Sequence, residues 1–92
     1  MIPTYEINQV VSAIYRTEGG THTRYPYGIR SIRTTTPREC CFRTVRNEAI
    51  RLHVSHVDRY FIYCLADRYC PPSCDKQGNL NWKHNMIAIL HL

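Results

Sequence analysis

The stretch Ile7-Asn8-Gln9-Val10-Val11-Ser12-Ala13-Ile14-Tyr15-Arg16-Thr17-Glu18-Gly19-Gly20 decides how the rest of the chain is read. Ile7, Val10, Val11 and Ile14 recur at i, i+3, i+4 and i+7, the period of a helix with one apolar face. Thr4 opens this helix and Thr17 closes it. Glu18 continues the apolar stripe by one more step of four. Gly19-Gly20 then stops the helix, because glycine readily takes the left-handed backbone that ends one.

The same period appears three more times downstream. Thr36-Pro37 with Glu39 reads as an N-cap, a first-turn proline and a capping box. The helix they start carries Cys41, Val45, Ala49 and Leu52 inward and ends near His53. A third helix is expected after Ser55, with Asp58 completing a second capping box and Val57, Phe61, Cys64 and Leu65 facing the core. Cys70-Pro71-Pro72 stops it, since proline removes a donor and restricts the residue before it. Residues 71 to 80 read as a loop. A fourth helix starts near Asn79 or Asn81, with Trp82, Met86, Ile89 and Leu90 on one face. Between the first two helices, Tyr25-Pro26-Tyr27-Gly28 is a turn signal, and Tyr27 to Thr36 suits a short hairpin or an extended loop.

These elements predict one mainly α domain of about four helices spanning residues 1–92, with an irregular or short hairpin segment after the first helix. The chain has 92 residues, of which 43% are hydrophobic, enough for one small core and too many for a disordered chain. No apolar run approaches the roughly 20 residues that span a bilayer. The N-terminus lacks the basic-then-apolar order of a signal peptide, so synthesis in the cytoplasm is expected. Net charge is +5, and ten of the twelve basic residues are arginine. Such a balance suits nucleic acid, anionic lipid or bacterial cell wall alike. The five cysteines form an odd set, which argues against a complete disulfide framework and for mostly free thiols.

Glu18 is the first candidate for chemistry. A carboxyl that extends an apolar stripe is partly withdrawn from water, which favours the protonated form that a general acid needs. The plainer alternative is a solvated glutamate at a helix end, an electrostatically poor place for an anion. The segment Ala13-Ile14-Tyr15-Arg16-Thr17-Glu18-Gly19-Gly20, followed by Tyr27-Gly28-Ile29, resembles the lysozyme-like superfamily. In its lytic transglycosylases and phage endolysins a helix ends in the catalytic Glu, and a glycine-led segment lines the glycan groove. The run Leu65-Ala66-Asp67-Arg68-Tyr69-Cys70-Pro71-Pro72, with Asp75, Gly78, Asn81-Trp82 and Asn85, also looks like small lysozyme-like proteins of phage and prophage origin.

The resemblance implies cleavage of peptidoglycan glycan strands, with action at the cell wall or periplasm and no cofactor or metal. It implies Glu18 as the catalytic residue and Gly19, Gly20, Tyr25, Tyr27, Gly28 and Ser31 as substrate contacts. Tyr69 is a further aromatic open to sugar stacking or to plain packing, while Trp82 reads as core. Glycoside hydrolysis normally uses two carboxylates. After Glu18 the next acid is Glu39, which is taken by helix capping. A single acid favours transglycosylase chemistry, in which the sugar's own C6 hydroxyl closes an anhydro ring, over muramidase-type hydrolysis. Asp67 and Asp75 are the alternatives for a second carboxylate if the fold returns them to the groove.

Two other constellations are weaker. Cys64, Cys70 and Cys74 with His53, His56 or His84 have the residue types of a zinc site, but Cys-x5-Cys-x3-Cys is not the usual zinc spacing. Arg38, Arg43, Arg46 and Arg51 make the second helix basic, the basis of a different function: a non-enzymatic module binding nucleic acid or a protein partner. Against it, the charge is scattered and no helix-turn-helix or RNP pattern is present.

Overall fold

A computed structural model describes residues 1–23, 25–28 and 37–92. It contains four α-helices: α1 (Thr4–Thr17), α2 (Pro37–Leu52), α3 (Arg59–Tyr69) and α4 (Lys76–Leu90), with a short 3-10 turn at Gly20–His22. No strand occurs among the described residues. The expected hairpin beyond Gly28 and the Thr36 cap fall outside them. No helix of the described residues is long and apolar enough to cross a membrane.

α1 is the centre of the packing. It lies against both α2 and α4, and α4 packs in turn on α3. Its buried side chains are Ile7, Val10, Val11, Ala13 and Ile14. They meet Cys41, Val45 and Ala49 from α2, Phe61, Ile62, Leu65 and Ala66 from α3, and Trp82 and Met86 from α4. Each set follows its own helical period, so four amphipathic faces close on one core. Cys64, expected inward, is only half-buried, and Ile62 takes the buried place instead.

Two helix starts differ from expectation. α3 begins at Arg59 because Asp58 is itself the N-cap, its carboxylate accepting from the Phe61 amide at 2.8 Å. The N-cap carboxylate bonds the third helical amide, so one residue both caps and starts the helix, and Ser55 is not needed. α4 begins at Lys76, three residues before Asn79, because Asp75 caps it and accepts from the Gly78 amide at 2.9 Å. Gly78 looks like a loop residue in sequence. In the fold it is helical, and a side chain there would collide with the capping Asp75 carboxylate.

α2 and α4 both end on histidine in the left-handed conformation, His53 at φ 56° and His91 at φ 57°. After each, the amides double back in a Schellman pattern: Val54 to the Ala49 carbonyl and Leu92 to the Ile87 carbonyl. Glycine usually fills this position because a Cβ is disfavoured there. Glu48 is a further departure from the simple stripe. It is 3% exposed, and Arg51 donates both Nε and Nη2 to it at 2.9 Å. A buried carboxylate needs such a fork to be tolerated.

Candidate functional site

Glu18 sits at the C-terminal end of α1, where its own amide still bonds to the Ile14 carbonyl at 2.8 Å. Its side chain is half-buried and turns toward α4. There the Trp82 indole Nε1–H donates to Glu18 Oε1 at 3.1 Å. Among the described residues the other oxygen, Oε2, has no hydrogen-bond partner.

The surroundings of this carboxyl come from every helix. Trp82 is 5% exposed and stacks on Tyr69 of α3, with ring centroids 5.5 Å apart and planes inclined by 18°. The Tyr69 hydroxyl lies 3.2 Å from the buried Cys41 Sγ of α2. Gly28 comes in from the turn that its amide closes on the Tyr25 carbonyl. Its φ is +71°, and a Cβ there would lie 3.2 Å from the Tyr69 ring and 3.5 Å from Glu18 Oε1. Glycine is therefore required at this point both for backbone conformation and for close approach. Gly28 and Tyr69, with Thr44 and Arg68, line an open cavity of about 210 Å³.

Burial keeps the neighbouring groups protonated. It pushes the Cys41 thiol up to about 11; the Glu18 charge pushes the same way, while the Tyr69 hydrogen bond and Arg38 pull back. Tyr69 is raised well above the ordinary phenol range, first by burial, then by Cys41 and Glu18. Cys70 is raised by burial and then by Asp75 and Glu18. Glu18 thus faces neutral donors. This carries a sign for stability. The unfolded Cys41 thiol ionises near 9.0, whereas the folded one holds its proton to about 11. Across that window the unfolded chain is the one that loses a proton, so stability falls as pH rises. Cys41 alone accounts for about 2–3 kcal/mol, and Tyr69 acts in the same direction. Urea midpoints at pH 8, 9.5 and 10.5 are expected to drop stepwise; a flat profile would contradict the burial of this pair.

The other expected contacts are dispersed. Gly19 ends α1 at φ +102° and is exposed. Gly20 is buried at φ +55°, and a Cβ on it would meet the Tyr15 ring at 3.2 Å. Tyr27 packs on Tyr15 at 5.2 Å, and its hydroxyl accepts from Arg38 at 3.5 Å. Tyr25 is exposed at the turn. Ser31 lies outside the described residues. Asp75 is engaged as the α4 cap, and Asp67 accepts from buried Asn79 at 3.0 Å and pairs with Lys83 at 3.5 Å. Neither is presented as a partner to Glu18. The five cysteines are all unbridged, and among the described residues no three His, Cys, Asp or Glu side chains gather as a metal site.

Trp82 and Cys41 are the members of this cluster that sequence reading placed only in the core. A larger cavity, about 480 Å³, lies elsewhere among the described residues, between α1 and α4. Comparison of the chain with family models, with characterised proteins and with solved structures gives no match.

Proposed function

We propose that this chain is a small lysozyme-like domain that cleaves peptidoglycan glycan strands, with Glu18 as its single general acid. One observation carries the reading. The carboxyl at the end of α1 is held by Trp82 directly beside Gly28, the glycine of the Tyr-Gly-Ile element that the resemblance pairs with it, and Gly28 borders an open cavity.

The chemistry follows from the two oxygens. Oε1 is oriented by the indole N–H. In the proposed step Oε2 gives a proton to the glycosidic oxygen as the C1–O bond breaks. The sugar's C6 hydroxyl then attacks C1, and its proton returns to Oε2, closing a 1,6-anhydro ring. No second carboxylate is required. Among the described residues Asp58 and Asp75 cap helices, Asp67 and Glu48 pair with Lys83 and Arg51, Glu39 of α2 has an interaction of its own, and Glu6 lies in the first turn of α1, at the opposite end of that helix from Glu18. The cell wall is accordingly the proposed site of action, and a phage or prophage the proposed kind of source.

Purified peptidoglycan incubated with the protein is expected to release soluble muropeptides with anhydro ends by mass spectrometry. Reducing ends would replace transglycosylation by hydrolysis through the same Glu18. No release of fragments would end the reading. Trp82→Phe retains a ring to stack on Tyr69 and removes only the donor to Glu18. Wall cleavage by this variant is expected to fall about 10–100-fold, the worth of one hydrogen bond to a charged group. Unchanged cleavage would show that the indole does not position the acid.

A further inference from the structure

The basic side chains of α2 do not all serve the same face. Arg51 is engaged with Glu48. Arg38, Arg43 and Arg46 instead line a cavity of about 230 Å³ against Asn8 of α1, with Phe42 in its wall. Arg38 is fixed in place: its Nη2 donates to Ser12 Oγ at 3.1 Å and to the Asn8 carbonyl at 3.4 Å. Arg43 and Arg46 are exposed and have no hydrogen-bond or ion-pair partner among the described residues. The acid on this wall, Glu39, has an interaction of its own. Asn8 also lines the 480 Å³ cavity between α1 and α4, where Gln9, Ser12, Arg16 and the 67%-exposed Tyr5 are found. The two cavities therefore adjoin along α1, with four arginines distributed over them.

From this arrangement we propose that the groove running over α1 from α2 to α4 binds single-stranded nucleic acid. Arginine presents a planar fork that matches phosphate oxygens, and three of these forks, on Arg16, Arg43 and Arg46, have no hydrogen-bond or ion-pair partner among the described residues. Each of the two cavities is concave, and they meet at Asn8. A duplex is read by a convex helix or ribbon entering its groove, whereas a positively charged channel with an aromatic platform takes a single strand. Tyr5 supplies the exposed ring, and the Asn8 and Gln9 amides match base edges. A glycerol-phosphate wall polymer would use the arginines but gain nothing from the ring or the amides. The proposal does not rest on the Glu18 reading.

The experiment is fluorescence anisotropy with labelled oligothymidylate of roughly 12 nucleotides. Binding is expected to weaken with salt at a log–log slope of about −2 to −3, for three or four phosphates neutralised. Arg43→Ala/Arg46→Ala, both exposed and unpartnered, is expected to keep its circular dichroism spectrum and to reduce that slope by about 1.4. Tyr5→Ala is expected to weaken binding roughly tenfold by loss of stacking. Lys76→Ala, which removes one charge from the start of α4, and Glu18→Gln are expected to bind as wild type. The proposal is overturned by no binding, or by Lys76→Ala losing as much affinity as Arg43→Ala/Arg46→Ala. It is equally overturned if duplex DNA or polyglycerol phosphate binds as tightly as the single strand.

Discussion

Replacing Glu18 by glutamine is expected to abolish the loss of turbidity of bacterial cell walls, with a rate reduction of about 10²–10⁴-fold. The substitution is close to isosteric. The glutamine carbonyl oxygen still accepts from Trp82 Nε1, so the bond that now spans 3.1 Å has a partner and the side chain keeps its place. What disappears is the transferable proton on the second oxygen. Folding is therefore expected to be unchanged in thermal unfolding, while chemistry is lost. Binding to insoluble wall, measured by co-sedimentation, is expected to persist, because removing a proton donor acts on the transition state and not on the ground-state complex. Lysis at the wild-type rate would remove Glu18 from the mechanism. Loss of both lysis and the cooperative unfolding transition would instead assign Glu18 a structural role, as one of the residues joining α1 to α4.

Phe61→Ala is expected to have the largest effect on stability. Phe61 is among the largest fully buried side chains and belongs to the core shared by α1, α2, α3 and α4. Truncating a buried phenylalanine costs about 3–5 kcal/mol, from lost transfer energy and from the cavity left behind. Small domains hold only about 0.05–0.15 kcal/mol per residue in total, so this one change removes about a fifth or more of the stability of a 92-residue chain. Urea denaturation is expected to show a midpoint lowered by a large fraction with an unchanged slope. A loss under 1 kcal/mol would mean that the core collapses around the gap and that Phe61 is not tightly held.

How far the sequence reads directly depends on the kind of signal. The α1 stripe and its Gly19-Gly20 stop were legible to the residue, because periodicity and helix termination are local properties. The α2 span was nearly so, Pro37 marking its start. The starts of α3 and α4 were misplaced by three residues or so, because several polar residues near each boundary have capping chemistry and only the backbone path selects one. Asp58 and Asp75 won over Ser55 and Asn79, and Asn79 became a buried link donating to the Cys70 carbonyl at 2.8 Å. Glu48 was illegible as a buried residue: an acid on a basic helix reads as surface until Arg51 is seen to cover it.

For the candidate site the division is the same. Sequence by itself determined four amphipathic helices, a carboxyl at the tip of the first, and a Tyr-Gly turn after it, since each follows from residue order within one or two turns of chain. Only the tertiary structure decided what that carboxyl faces. The Trp82 indole that orients Glu18 lies 64 positions away. Tyr69, Cys41 and Gly28 reach the same spot from three other segments. The physical reason is that a side chain's period reports which way it points from its own helix, not which groups meet it there. Trp82 could be read as apolar and inward; that its single polar atom would find the acid of α1 depended on how α1 and α4 pack.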